Sequence, residues 1–197
     1  MSEKDPVPFD QAVWEVNNNA GRKAARRGFE PEHLSGYGDL LLMQLMMMPS
    51  FTSTVGWQIY QRSPILYRRR PIENDGKPRF LGCRTEWVQE EDLKRFSSPV
   101  TSLKHLSELA PTMRFQSVEL DPEWLQSKQT ELRSISIAPY VDSETFGLDG
   151  VRYEITQNGF KTHSCFNWWC DGPDEWRPLT KIVLAMLDEL EGKIAAL

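Results

Sequence analysis

The sequence predicts an α+β fold, an antiparallel sheet of about six strands with helices packed on one face. Three patterns support it: short strand-like segments separated by turn residues between residues 40 and 88, a β-hairpin over residues 151–169, and a long amphipathic helix after it. The 197 residues are enough to bury one substantial core. We therefore expect a single domain over residues 1–197, with residues 1–35 as a peripheral N-terminal helix and loop.

The segments before the hairpin are assigned from periodicity and turn residues. Leu40 to Met48 is a short apolar run stopped by Pro49, which predicts a buried strand. Asp121 followed by Pro122 is typical of a helix start, and that helix should run to about Ser134. The remaining assignments are helices over residues 9–27, 90–96 and 102–109, strands over residues 56–61, 65–70 and 79–88, and an extended connector over residues 135–141.

A turn at Asn158-Gly159 predicts the C-terminal hairpin. A two-residue turn there pairs Ile155 with Thr162 and places Glu154 opposite His163. Because side chains alternate along strands, one face of the hairpin is apolar and the other mostly polar. The apolar face carries Val151, Tyr153, Ile155, Phe160, Phe166 and Trp168. The polar face carries Arg152, Glu154, Thr156, Lys161, His163, Cys165, Asn167 and Trp169.

A long amphipathic helix is predicted to follow the hairpin. Pro178 suits the first turn of a helix, where its missing N–H costs nothing. The apolar stripe should pack on the apolar face of the hairpin, and Trp168 and Trp176 should be core residues at that junction. The stripe consists of Leu179, Ile182, Val183, Met186, Leu187, Leu190 and Ile194.

The C-terminal block resembles a group of uncharacterised bacterial proteins. The resemblance covers residues 147–190, and residues 38–60 are compatible with it more loosely. It implies a bacterial origin and an α+β fold, and it carries over no activity and no catalytic residues. The residues that carry it are Leu148-Asp149-Gly150, Tyr153-Glu154, Trp168-Trp169, Asp171-Gly172-Pro173, Glu175-Trp176 and Pro178-Leu179.

Composition narrows the compartment and the class of partner. The odd number of cysteines lacks the spacing of a disulfide framework, which favours free thiols in a reducing compartment. No signal-peptide pattern opens the chain, and the longest apolar run is too short to cross a bilayer. We therefore expect a cytoplasmic protein. The net charge of −5 argues against nucleic acid as the main ligand, and we interpret the basic runs at residues 22–27 and 68–70 as solvated faces.

His163, Cys165 and Cys170 offer nitrogen and sulfur ligands. A structural zinc site normally needs four ligands in short paired spacings, so we expect neither a metal nor a cofactor. Cys165 and His163, with Glu154, also have the residue types of a Cys-His-acid nucleophile. Residues two apart on a strand are about 7 Å apart, too far for a direct thiol–imidazole hydrogen bond.

The segment Phe51-Thr52-Ser53-Thr54 resembles the aromatic-Ser/Thr-Ser-Thr strand motif of ADP-ribosyltransferases. Those enzymes also need an arginine on an earlier strand and a catalytic glutamate on a later one. Here Arg26 and Arg27 lie in a predicted helix, and Glu86, Glu90 and Glu91 lack the companion residue two positions upstream in that family's usual form. We therefore interpret the four residues as a turn.

The remaining pattern favours a protein that acts by binding another protein, with a toxin-neutralising immunity protein as the concrete version. An acidic chain would associate rapidly with a basic toxin domain, and an aromatic side chain would anchor it. The alternative is an enzyme whose site is assembled from residues distant in sequence. The residues expected to contact a partner are Trp169, Asp171, Asp174, Glu175, Arg152, Glu154 and His163.

Overall fold

A computed structural model describes residues 40–50, 52–62, 78–96, 111–139, 141, 149–159 and 162–197. Within these ranges six strands and three α-helices follow one another along the chain. The strands are β1 (Leu40–Pro49), β2 (Val55–Arg62), β3 (Arg79–Trp87), β4 (Met113–Leu120), β5 (Val151–Asn158) and β6 (His163–Trp169). The helices are α1 (Gln89–Phe96), α2 (Pro122–Ser134) and α3 (Arg177–Ala195), with a short 3₁₀ turn at Asp174–Trp176 before α3.

The six strands form one antiparallel sheet in the order β4-β3-β2-β1-β5-β6. The first four strands are neighbours in sequence order, and the C-terminal hairpin β5–β6 adds to the free side of β1. β4 and β6 are therefore the two edge strands. The predicted α+β class is confirmed, and the sheet is continuous from one edge to the other.

One face of the sheet, called here the helix face, carries the main core. Leu45, Trp57 and Ile155 lie side by side on three central strands and are buried. α2 and α3 cover this face, and the predicted stripe of α3 is directed at it. The helices add Leu125, Leu132, Leu179, Val183, Met186, Leu187 and Leu190 to the same core.

Local signals set both helix starts. The side chain of Asp121 caps α2 by accepting a hydrogen bond from the backbone N–H of Glu123 at 3.0 Å, and Pro122 occupies the first turn as predicted. α3 begins at Arg177, with Pro178 in its first turn. Trp176 packs edge-on against Trp168 and donates its indole N–H to the carbonyl of Ala138 at 2.9 Å. The predicted sealing of this junction by Trp176 is thus confirmed.

The predicted hairpin register was wrong by four residues. Asn158 pairs with His163 and Ile155 with Phe166, so residues 159–162 lie between the strands. The backbone N–H of Gly159 donates to the carbonyl of Thr162 at 2.8 Å and closes this longer loop. A shift by an even number keeps the side chains of β5 and β6 on their predicted faces, and Phe160 and Lys161 lie outside the described residues. The shift also pairs Trp168 with Tyr153. Their rings are stacked, and the ring centroids are 5.9 Å apart.

Other predicted elements have mixed outcomes. The strands at residues 40–48, 56–61 and 79–88 and the helix at 90–96 are present within one or two residues of their predicted bounds. β4 was not predicted. The predicted helices at 9–27 and 102–109, the strand at 65–70 and both basic runs lie outside the described residues. None of the helices in the described ranges has the length and apolar character needed to cross a membrane.

Candidate functional site

The face of the sheet away from α2 and α3, called here the opposite face, brings several predicted site residues together on the hairpin. Trp169 lies directly across from Arg152, and Glu154 lies across from Asn167. The guanidinium of Arg152 donates to the side-chain oxygen of Asn167 at 3.0 Å. Three of the predicted contact residues therefore share one end of the hairpin, Trp169, Arg152 and Glu154.

Trp169 is half-buried, and its own chain supports the buried side of the ring. A Cβ placed on Gly150 would lie 2.8 Å from the indole carbons of Trp169 and 2.5 Å from the sulfur of Cys170. The indole thus packs against the backbone of Gly150, an approach that only glycine permits. The chain reverses just beyond, where Cys170 and Gly172 both have positive φ. This turn fixes the end of β6, so Trp169 is held on a rigid support.

Acidic side chains follow the C-terminal end of β6. Asp171 and Glu175 are exposed and have no ion pair among the described residues, whereas Asp174 pairs with Arg177 at 2.7 Å. The pKa of the Tyr153 phenol is raised, first by burial and then by nearby groups that include Asp171 and Asp188. Because burial is the larger cause, this shift describes the packing of Tyr153 against Trp168 more than the potential at the surface. We define the hairpin-end surface as Arg152, Glu154, Trp169, Asp171, Asp174 and Glu175.

His163 is not part of the hairpin-end surface. It starts β6 while Trp169 ends it, and six residues of strand span about 20 Å. Its ring Nδ1 lies 2.8 Å from the side-chain oxygen of Asn158. The predicted pairing of His163 with Glu154 was wrong, because the register shift places Glu154 opposite Asn167 instead.

The positions of His163 and the cysteines decide whether β6 can assemble the metal site or the thiol nucleophile considered above. Cys83, Cys165 and Cys170 form no disulfide, and Cys83 is buried whereas Cys165 and Cys170 are exposed. Among the described residues, no group of three His, Cys, Asp or Glu side chains is placed to hold a metal ion. His163 and Cys170 lie at opposite ends of β6, so this strand does not assemble the nitrogen and sulfur ligands that the sequence offers.

The helix face holds an apolar cleft at its β6 edge, which sequence reasoning missed. The cleft has a volume of about 150 Å³ and lies between the end of α2, the start of α3 and the hairpin. Exposed Ser164 lines it, so the cleft reaches the surface at the edge of the sheet. Its lining residues are Leu132, Ile135, Ile137, Ile155, Gln157, Ser164, Phe166 and Leu179. They come from five separate segments, so no local spacing signals the cleft.

The backbone of β6 borders this cleft. The N–H of Cys170 donates to the carbonyl of Val151, and the N–H of Gly159 donates to that of Thr162. Hydrogen-bonded pairs alternate along an antiparallel ladder, so Phe166 and Ser164 also point their backbone groups toward β5. The backbone groups of Cys165 and Asn167 point away from β5, toward solvent.

A second candidate site lies at the centre of the opposite face. A row of small or polar side chains crosses all six strands there, and three of its members, Thr156, Gln58 and Cys83, are buried. The hydroxyls of Thr54 and Thr85, on the same face, are buried and have no hydrogen-bond partner among the described residues. Thr52 to Thr54, from the ADP-ribosyltransferase-like segment, lie in the connection between β1 and β2. The row itself is Cys165, Thr156, Gln44, Gln58, Cys83 and Ser117.

A charged cluster on the helix face serves the fold. The guanidinium of Arg84 contacts Glu86 at 2.8 Å and Glu191 of α3 at 2.9 Å. Burial lowers the pKa of Arg84, but hydrogen bonds and charges from the two carboxylates outweigh it and raise the pKa. The indole N–H of Trp57 also donates to Glu191 at 2.9 Å. These partners satisfy one another, so the cluster fixes α3 on the sheet.

Comparison with protein-family models, with curated proteins and with solved structures gives no match to this chain.

Proposed function

We propose that this protein acts by binding a basic protein partner through the hairpin-end surface, and that a toxin-neutralising immunity protein is the concrete form of this function. The observation that carries the proposal is a half-buried tryptophan on a polar face, followed in the chain by exposed acidic side chains without ion pairs among the described residues. Trp169 supplies apolar contact area, and Asp171 and Glu175 supply the negative charge. Binding hot spots in protein interfaces are enriched in tryptophan, and complementary charge speeds association.

The support beneath Trp169 favours an anchor over a mobile surface side chain. Its ring rests on Gly150, and the turn at Cys170 and Gly172 fixes the strand end that carries it. A side chain already held in place loses little conformational entropy on binding, so more of its contact energy contributes to affinity. Arg152, held by Asn167, lies directly opposite and would form the polar rim of the contact.

The test starts with affinity purification from the native host, followed by mass spectrometry to identify a stoichiometric partner. Trp169→Ala should then weaken binding of that partner by at least about 2 kcal/mol, because an anchor loses its buried area. The melting temperature of the free protein should change little. Titration calorimetry measures the first quantity and thermal unfolding the second.

Phe115→Ala is the matched control, since Phe115 is an aromatic residue 48 % exposed on the opposite edge strand. It should leave partner affinity unchanged. The double variant Asp171→Asn with Glu175→Gln should slow association and reduce its dependence on salt. A loss of about 3 kcal/mol of unfolding free energy in Trp169→Ala would instead identify Trp169 as a core residue, and the proposed surface would be abandoned.

A further inference from the structure

We infer that the partner presents an extended segment that adds antiparallel to the free edge of β6 and inserts one large apolar side chain into the neighbouring cleft. This inference rests on the proposed function, and it specifies the chemistry of the bound segment. Three independent features support it: the unpaired edge of β6, the apolar cleft beside that edge, and the acidic groups at one end of the strand.

The first feature is the free backbone of β6. Cys165 and Asn167 direct their N–H and carbonyl groups away from β5, and no other strand of the described chain covers this side of the sheet. An edge of this kind is a template for another strand, because each exposed donor and acceptor can join a new ladder. The side chains of Cys165 and Asn167 are exposed, so they leave the approach open. Main-chain hydrogen bonds would give this mode its affinity.

The second feature, the cleft, selects the side chain. A strand added to β6 places alternate side chains on the helix face, next to Phe166 and Ser164. Those two residues line the cleft of about 150 Å³, whose other walls are almost entirely aliphatic. An apolar cavity of roughly this size holds a benzene-sized group. The cleft therefore fits one leucine, isoleucine, methionine or phenylalanine of the incoming segment.

The third feature, charge, sets the end of β6 at which the basic residues of the segment lie. Asp171 and Glu175 follow the C-terminal end of β6, and neither has an ion pair within the described ranges. An antiparallel segment begins at that end and passes the cleft later. Its lysine or arginine residues should therefore precede the apolar residue by about five positions, given the strand rise. Antiparallel pairing is also slightly more stable per residue than parallel pairing.

The other edge strand, β4, has outward-pointing backbone groups but does not line the cleft. Alternate backbone groups of β4 also point outward. The backbone N–H of Val88 donates to the carbonyl of Thr112, and this bond shows which residues of β4 direct their backbone groups toward β3. By this alternation the N–H of Ser117 points to solvent. None of the residues of β4 lines the cleft at β6. β4 is thus an internal control, with outward-pointing backbone groups that lie away from that cleft.

The experiment uses the full-length protein as bait for a phage-displayed library of random peptides about ten residues long, enough to span a strand of this length. Selected peptides should carry basic residues in their N-terminal half and one large apolar residue about five positions later. Cys165→Pro removes an outward N–H without breaking the ladder to β5, and Ser164→Phe fills the cleft. Each should raise the Kd of a selected peptide at least tenfold. Ser117→Pro, the equivalent change on β4, should leave the Kd within twofold.

Amide exchange on the wild-type protein gives a readout that needs no variant. Peptide binding should slow exchange at Cys165 and Asn167 and leave Ser117 unaffected. The inference is overturned if no peptide is selected, if the selected peptides keep their affinity for both β6 variants, or if exchange at the edge is unchanged.

Trp169→Ala separates this inference from the proposed function. Peptides that lose affinity with Trp169→Ala, yet bind Cys165→Pro and Ser164→Phe normally, would support the hairpin-end surface and refute strand addition. Peptides with the opposite response would support strand addition and count against the proposed anchor.

Discussion

The two faces of the sheet are built from different chemistry. On the helix face, one row across the strands contains Phe166, Ile155, Leu45 and Trp57 before it reaches Arg84 and Gln116 near the β4 edge, and α2 and α3 cover it. On the opposite face, the adjacent row consists of thiols, hydroxyls and amides, and a small apolar cluster of Met46, Met48, Trp87 and Met113 lies in other rows of that face. Central residues of both rows are buried, including Leu45 on one face and Gln58 on the other.

The two faces of the sheet also differ in how much they contribute to stability. Burying apolar area on the helix face contributes about 25 cal/mol per Å², whereas a buried polar group contributes little net stability even when it is paired. The hydroxyls of Thr54 and Thr85, and the indole N–H of Trp168 on the helix face, lack a partner among the described residues and so reduce stability. We conclude that the larger apolar core of the described residues lies on the helix face.

The largest expected effect comes from removing the cover of the helix face. A chain truncated after Asp171 lacks α3 and exposes several side chains worth about 1.5–3 kcal/mol each, so it should be insoluble or lack cooperative unfolding. Circular dichroism melting and analytical gel filtration measure this. A chain ending at Ala195 is the control, since Leu197 is exposed. A cooperative transition at the parental temperature in the short chain would refute the packing.

The second prediction compares a largely buried arginine with an exposed one. Arg84 has a side chain 12 % exposed on the helix face, and Arg79, paired with Glu119 at 2.8 Å, is 50 % exposed. Arg84→Ala should lower the free energy of unfolding by about 2–3 kcal/mol, because it leaves Glu86 half-buried without its closest partner. Arg79→Ala should cost less than about 0.5 kcal/mol. Urea denaturation compares the two, and equal losses would contradict a structural role for the Arg84 cluster.

The smallest expected effect is an increase in the free energy of unfolding. Thr85→Val replaces a buried hydroxyl that lacks a described partner and should raise the free energy of unfolding by about 0.5–1 kcal/mol. Thr180→Val is the matched control, since the Thr180 hydroxyl donates to the carbonyls of Asp171 and Trp176. That control should lose about 1 kcal/mol. If Thr85→Val is also destabilised, its hydroxyl has a partner and the contrast between the faces is weaker than proposed.

Sequence patterns predicted the elements whose two sides differ strongly or whose residues are apolar throughout. α3 has a clear apolar stripe, and the run at Leu40 to Met48 forms a central strand with buried residues on both faces. β4 was missed because its alternation is absent. Arg114 and Gln116 share the helix face with Val118 and Leu120, and the other side of the strand is equally mixed. An edge strand with half of each face exposed gives no period-two signal.

Only the part of the candidate site that lies within the hairpin could be predicted from the sequence. Trp169, Arg152 and Glu154 were placed on one face, because alternation within a hairpin survives an even shift of register. The shift itself was not predictable from the turn, since the stacking of Trp168 on Tyr153 depends on the packing around it. His163 was separated from Glu154 by that shift. The cleft combines residues from α2, the connector, both hairpin strands and α3, and such a combination is set by tertiary packing.

The pairing of β1 with β5 has a consequence for how the chain folds. Strands β1 to β4 pair in sequence order, and β5 and β6 form their own hairpin, so each part can pair locally. The junction between them is closed at one end by Ser50, whose backbone N–H and hydroxyl both donate to the carbonyl of Gly150, 100 residues away. Closing so long a loop costs entropy before the contacts compensate it. We therefore expect docking of the hairpin onto β1 to be the slow, late step of folding, and a chain released before that step would expose both β1 and β5 as unpaired edges.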